Sequence, residues 1–219
     1  MSSAKTYLKN YIATTSSVIT HPRRFYQDMT VSGGLTEPMV FAVLTIFIVS
    51  LLYIPIMLIS WGPYLPLDSD MVLTLIIMGA MFLYSFFAML ISIPINSILY
   101  HIMLKIFGAK GSLEATLRVF CYYLAISLVV LPVAAVIVII FYLAEVTGAE
   151  GIVFQILAFV LMLAMMIPII YSLYVLIVGF SEVHQISMKR VILALLIIPT
   201  ALFLILAVIV VGSVFIAGY

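Results

Sequence analysis

Residues 71–107 read MVLTLIIMGAMFLYSFFAMLISIPINSILYHIMLKIF, 37 residues in which Lys105 is the one Asp, Glu, Lys or Arg. As a helix the stretch is about 55 Å long, well beyond a hydrocarbon core of about 30 Å. Splitting it at Pro94 leaves Ile95–Phe107, too short for a crossing of its own. One long helix, kinked at Pro94 and projecting from one face of a membrane, satisfies the length and carries His101 and Lys105 out of the lipid. Four further apolar stretches accompany it: Met39–Trp61, Leu113–Ala144, Gly151–Gly179 and Val191–Gly218. Apolar residues make up 67% of the 219, more than a water-soluble core of this size absorbs. The sequence predicts an all-α integral membrane bundle of five transmembrane helices over residues 39–219.

Charge sets the orientation. Lys5, Lys9, Arg23 and Arg24 precede the first span. Lys105, Lys110 and Arg118 surround the link between the second and third, and Lys189 and Arg190 the link between the fourth and fifth. The other two links, Gly62–Asp70 and Glu145–Glu150, carry Asp68, Asp70, Glu145 and Glu150 and no basic residue. Basic loops stay cytosolic, so the N-terminus is predicted inside and Tyr219 outside. Trp61, Tyr64 and Tyr142 then fall at the outer interface, where an aromatic belt is expected.

Residues 1–38 form a cytosolic, interfacial collar in this reading. Tyr7, Leu8, Tyr11 and Ile12 share one helical face, with Val18 and Ile19 continuing the apolar pattern and Lys5, Lys9 and Asn10 elsewhere on the wheel. Such a helix is expected to lie along the inner leaflet, its lysines meeting anionic headgroups. His21-Pro22 reads as a cap followed by proline at a first helical position, opening a segment with Arg23, Arg24, Phe25 and Tyr26. Ser32-Gly33-Gly34 breaks it, and Glu37-Pro38 leads into the first span. Pro55, Pro94, Pro132, Pro168 and Pro199 fall one to each span, so every span is expected to be kinked. Ile93-Pro94-Ile95 and Ile167-Pro168-Ile169, each followed by a basic turn, hint at a parallel duplication of two hairpins.

No reactive constellation accompanies these helices. There is no glycine-rich phosphate loop, no nucleophile elbow and no pair of histidines on one helical face. Cys121, the sole cysteine, excludes an internal disulfide and a cysteine-based zinc site and reads as a small core residue. A net charge of +1, with cations dispersed at helix ends, argues against nucleic acid as a partner. No cofactor, no metal and no enzymatic activity are expected. His101, Glu182, His184 and Glu114 can share the cytosolic layer, but helix ends solvated by local hydrogen bonds explain them without a cation. Asn96 is the most polar residue within the spans, four residues from Tyr100 and just past Pro94. Its expected role is to satisfy a freed carbonyl or bridge two helices. Glu114, Arg118 and Tyr122 share one face of the third span behind Ser112, a predicted N-cap. Arg118 is expected to pair with Glu182 across the bundle, with Glu114 as the local alternative.

His21-Pro22-Arg23-Arg24-Phe25-Tyr26, then Gly33-Gly34 and Pro38, resembles the Yip1-domain family. So do Gly108-Ala109-Lys110-Gly111-Ser112, leading into Arg118-Val119-Phe120-Cys121-Tyr122-Tyr123, and Gly179-Phe180-Ser181-Glu182-Val183-His184-Gln185-Ile186-Ser187. The likeness runs from about Tyr7 onward. It implies five spans and a cytosolic N-terminus. Eukaryotic members are associated with traffic between endoplasmic reticulum and Golgi and with prenylated Rab GTPases. They usually carry a long polar head and an acidic-Leu-Tyr-Gly-Pro motif. Here the head is short and the nearest fragment is Trp61-Gly62-Pro63-Tyr64, so the chain is closer to the compact bacterial and archaeal members. A prokaryotic plasma membrane is the expected location, with endoplasmic reticulum or Golgi as the eukaryotic alternative. The expected function is a scaffold or adaptor meeting the bilayer or membrane-associated proteins at the cytosolic face. Its partner-facing candidates are Pro22, Arg23, Phe25, Tyr26, Glu114, Arg118, Tyr122, Glu182 and His184. The alternative is a small ion or solute permease passing Asn96, Tyr100 and His101.

Overall fold

The computed structural model describes residues 2–61, 71–148 and 151–217, and no strand occurs among them. Two N-terminal helices, α1 (Ser2–Thr20) and α2 (Pro22–Asp28), precede α3 (Thr36–Trp61) and α4 (Met71–Ile106). Then come α5 (Leu113–Tyr123), α6 (Ser127–Thr147), α7 (Ile152–His184) and α8 (Met188–Ala217). Among the described residues, four stretches are long and apolar enough to cross a membrane: Thr36–Ile59, Val72–Ile106, Leu113–Thr147 and Ile152–His184. Asp68, Asp70 and Glu150, together with Tyr64 and Tyr219, lie outside the described residues, as do the side chains of Trp61 and Pro199.

α4 runs unbroken through Pro94, as its length predicts. One turn to either side, Ser92 Oγ donates to the Met89 carbonyl and Ser97 Oγ to that of Ile93, both at 2.7 Å. The expected boundaries shift at two helix ends. Thr36, Glu37 and Pro38 belong to the first turn of α3 rather than to a lead-in; proline is tolerated there because the first N–H groups have no intrahelical partner. α7 continues past Gly179 to His184. A Cβ at Gly179 would lie 2.9 Å from Val119 Cγ1 and 3.0 Å from the Tyr26 ring. The glycine marks a close helix approach inside α7.

The third apolar stretch is not one uniform helix. A 3-10 turn at Leu124–Ile126, upstream of Pro132, separates α5 from α6. Ala125 and Ile126 in this turn are buried, and both α1 and α3 pack on it. α5 sits among α3, α4 and α7, whereas α6 has α3 and α7 as its principal neighbours. The change of neighbours leaves space beside α4 above the turn.

Pro22 occupies the first position of α2, where its missing N–H costs nothing. His21 stands at the cap without capping; its Nδ1 lies 2.7 Å from Thr20 Oγ1. Ser112 does cap α5, accepting from the Ala115 N–H at 3.2 Å. α1 departs from its expected attitude at Tyr11, which turns to the bundle. Tyr11 packs on Phe41, ring centroids 5.1 Å apart, and its hydroxyl meets Thr45 Oγ1 at 3.1 Å. Val18 is fully buried and Tyr171 donates to the Ile19 carbonyl, while Tyr7, Leu8 and Ile12 stay exposed. The main core lies at this end, where α1, α2 and α5 meet α3, α4 and α7.

Candidate functional site

Arg118 anchors the polar layer at that end. Its side chain is 4% exposed, and a buried guanidinium needs every donor matched. Nε and Nη2 donate to Glu114 Oε1 at 3.3 and 3.0 Å, one helical turn away on α5. Nη1 donates to the Thr30 carbonyl at 2.9 Å and lies 3.2 Å from Thr30 Oγ1, and Nη2 reaches the Gly34 carbonyl. Glu114 Oε1 in turn accepts from the Gly34 N–H at 3.1 Å. The pair therefore grips both polar groups of one peptide-bearing residue. Gly33 and Gly34 have φ of +112° and +92°, values that glycine tolerates and other residues rarely adopt. The turn between α2 and α3 is thus moulded around a buried cation.

The expected Arg118–Glu182 pair is not formed; the local alternative, Arg118–Glu114, is. Glu182, on α7, instead accepts from Arg23 Nε at 2.7 Å and Gln27 Nε2 at 3.1 Å. The reason is the docking of α2 along the end of α7, which brings Arg23 to Glu182 while Arg118 faces the 30–34 turn. Arg23 is 63% exposed, so this ion pair orients α2 more than it stabilises it. Burial does the holding: Pro22 and Tyr26 are buried beneath α2. Phe25 packs edge-on to Tyr26 and Tyr122, with centroids 5.2 and 5.1 Å away, and Tyr122 continues to Phe41 at 5.2 Å. Burial pushes the Tyr26 phenol well above its usual range, so it is a neutral donor, directed at the Val119 carbonyl at 3.5 Å.

Behind this lies a second set of groups from three helices. His101 Nδ1 on α4 is 2.9 Å from Thr116 Oγ1 on α5, and Thr116 Oγ1 is 3.0 Å from His184 Nε2 on α7. The Lys110 N–H donates to the His184 carbonyl at 3.1 Å. Gly111 leaves room for the ring, since a Cβ there would be 2.4 Å from His184 Nδ1. Arg190 Nη1 reaches the Phe107 carbonyl at 3.5 Å, so the two basic turns interlock. Glu114 and Glu182, engaged elsewhere, do not join the histidines, and no group of three metal-ligating residues assembles among the described residues.

Comparison with known families matches residues 16–210 to the Yip1 domain. The chain belongs to the Yip1-domain family. No curated protein and no solved structure matches it. The match covers the docked α2, the 30–34 turn and the Thr116 junction together, so the layer lies inside the Yip1 domain. Within the spans of this Yip1 domain, Asn96 is half-buried. Tyr100 packs its ring on Phe120 and Phe180 at 5.5 and 6.0 Å. Sequence reasoning missed Thr30, Gly34, Gln27, Thr116 and Gly111. The double glycine was the one visible signal, because a left-handed turn beside a buried arginine offers it carbonyls.

Proposed function

We propose that this Yip1-domain chain is a non-enzymatic membrane scaffold or adaptor that works through its cytosolic layer. The reading takes α8 as a fifth span, with the N-terminus inside and the C-terminus outside. The observation that carries it is the use made of Arg118: a permanently charged, buried side chain is spent on shaping the α2–α3 turn. Charge buried for that purpose fixes a surface, and the surface is the outer side of α2, with Arg24 and Asp28 exposed upon it. Helix lengths support the placement. Counting about 20 residues from the far ends of α4, α6 and α7 puts the inner boundary near Ser92, Ser127 and Ser172. Arg118, His101 and His184 then stand in the cytosolic layer. Tyr171 and the Leu124–Ile126 turn, both touching α1, stand at the boundary, where exposed Tyr7, Leu8 and Ile12 meet lipid.

Conduction is the weaker reading, because Tyr26, Val119, Phe120 and Phe180 fill the inner end with packed side chains. A photocrosslinking residue at Arg24, in native membranes, is expected to trap a discrete protein adduct that disappears with Arg118→Lys. Liposomes holding the chain are expected to leak ions and small solutes no faster than empty ones. Lipid adducts alone, or solute-specific flux, would overturn the adaptor reading.

A further inference from the structure

A cavity of about 530 Å³ lies within the spans, bounded by α3, α4, α6 and α7 and by the 3-10 turn at Leu124–Ile126. It exists because α6 leaves α4 at that turn. We propose that it binds a neutral long-chain lipid alcohol, taken up sideways from the bilayer. Its volume is that of a small-molecule site. Among the described residues no Asp, Glu, Lys, Arg or His contributes to the wall, so a charged headgroup would meet no counter-ion there. Val49, Ile54 and Met57 of α3 and Met81 and Met89 of α4 supply an apolar, adaptable lining for a hydrocarbon chain. Tyr53 and Tyr84 belong to the wall yet are exposed, which opens the cavity to the lipid.

Among the described residues, one fully buried hydroxyl in the wall lacks a partner. Ser50 is fully buried and its hydroxyl makes no hydrogen bond. Hydroxyls inside membrane helices ordinarily return to a carbonyl three or four residues back. Thr45, Ser97, Ser85 and Ser172 all do so, to Phe41, Ile93, Phe82 and Ile169. Ser85 and Ser172 border the same cavity, with their hydroxyls already spent. A buried donor kept free in this largely apolar setting is costly until an acceptor arrives. A hydroxyl on an otherwise hydrocarbon ligand supplies the acceptor and accepts no charge penalty.

The test uses the full chain in lipid nanodiscs and two photoreactive probes, a diazirine-bearing cetyl alcohol and the matching alkane. The alcohol is expected to label α3 between Val49 and Met57, with unlabelled cetyl alcohol competing. Ser50→Ala, nearly isosteric, should weaken alcohol labelling about three- to tenfold and leave the alkane unchanged. Ala134→Phe should abolish labelling by both, and Ala88→Phe fills the same space from α4 if the first variant does not fold. Uncompeted labelling spread over lipid-facing residues such as Val160, an equal loss of both probes in Ser50→Ala, or full labelling of a folded, filled variant would each overturn the proposal.

Discussion

Arg118 shows how a single side chain can be misplaced by counting charges. Glu182 is the opposite charge one would pair with it across helices, yet the deciding partners are the carbonyls of Thr30 and Gly34, which no charge pattern displays. Removing the guanidinium strands Glu114 and two carbonyls, so Arg118→Ala is expected to cost about 3–5 kcal/mol. In a thermal-shift cycle in detergent, Arg118→Ala and Glu114→Gln should be strongly non-additive. Arg118→Ala and Glu182→Gln should add, because they share no partner. Tyr26 gives a second residue-level expectation. Its folded phenol is held neutral above the usual range by burial. The neutral form therefore stabilises the fold fully below about pH 10, and the contribution is lost as the pH rises beyond it. Melting temperatures of the wild type and Tyr26→Phe, compared between about pH 8 and pH 11, should show the smaller alkaline loss in the variant.

Among elements, the informative residues are glycines that let helices touch. Gly179 limits the fourth apolar stretch in the sequence and is the contact point of α7 with α2 and α5. Gly179→Ala should overpack that crossing and destabilise by about 1–3 kcal/mol, with Arg23–Glu182 loosened because α2 moves off α7. Gly111→Ala is expected to act similarly through the His184 ring, whereas Gly151→Ala, where a Cβ meets nothing within 4 Å, should be near neutral. Chemical denaturation of the three variants in one detergent ranks them. The length of α4 is legible in the sequence, since 37 residues cannot be folded into one bilayer thickness. The turn at Leu124–Ile126 is not, because nothing in Leu-Ala-Ile breaks a helix; packing of α1 and α3 on it does.

At the scale of the molecule, the chain places its ion pairs and its main core at one end and leaves the long spans largely exposed on their outer faces. That asymmetry fits a bundle whose outer surface meets lipid and whose packed, polar end meets water. Orientation is tested with single cysteines at Thr147 and Ser187, both exposed, in a Cys121→Ser background. A membrane-impermeant thiol reagent added to sealed cells or right-side-out vesicles should label Thr147→Cys and reach Ser187→Cys after permeabilisation. Equal labelling of both before permeabilisation would overturn the proposed orientation and the crossing by α7.

Composition and the period of apolar runs determined by themselves that this is a helical membrane protein, that the stretch from Met71 to Ile106 forms one helix, and where basic turns fall. These properties depend on each stretch and the surrounding solvent alone, so they survive without knowledge of neighbours. Loose motifs in their order also placed the chain in its family. Tertiary structure alone decided which helix lies on which: that Arg23 takes Glu182, that Arg118 holds the 30–34 turn, that Tyr11 faces Thr45, and that α6 leaves a cavity beside α4. Each of those depends on distances between residues far apart in the chain. Backbone carbonyls and glycine contacts settle them, and every residue carries the first while the second leaves no side chain to read.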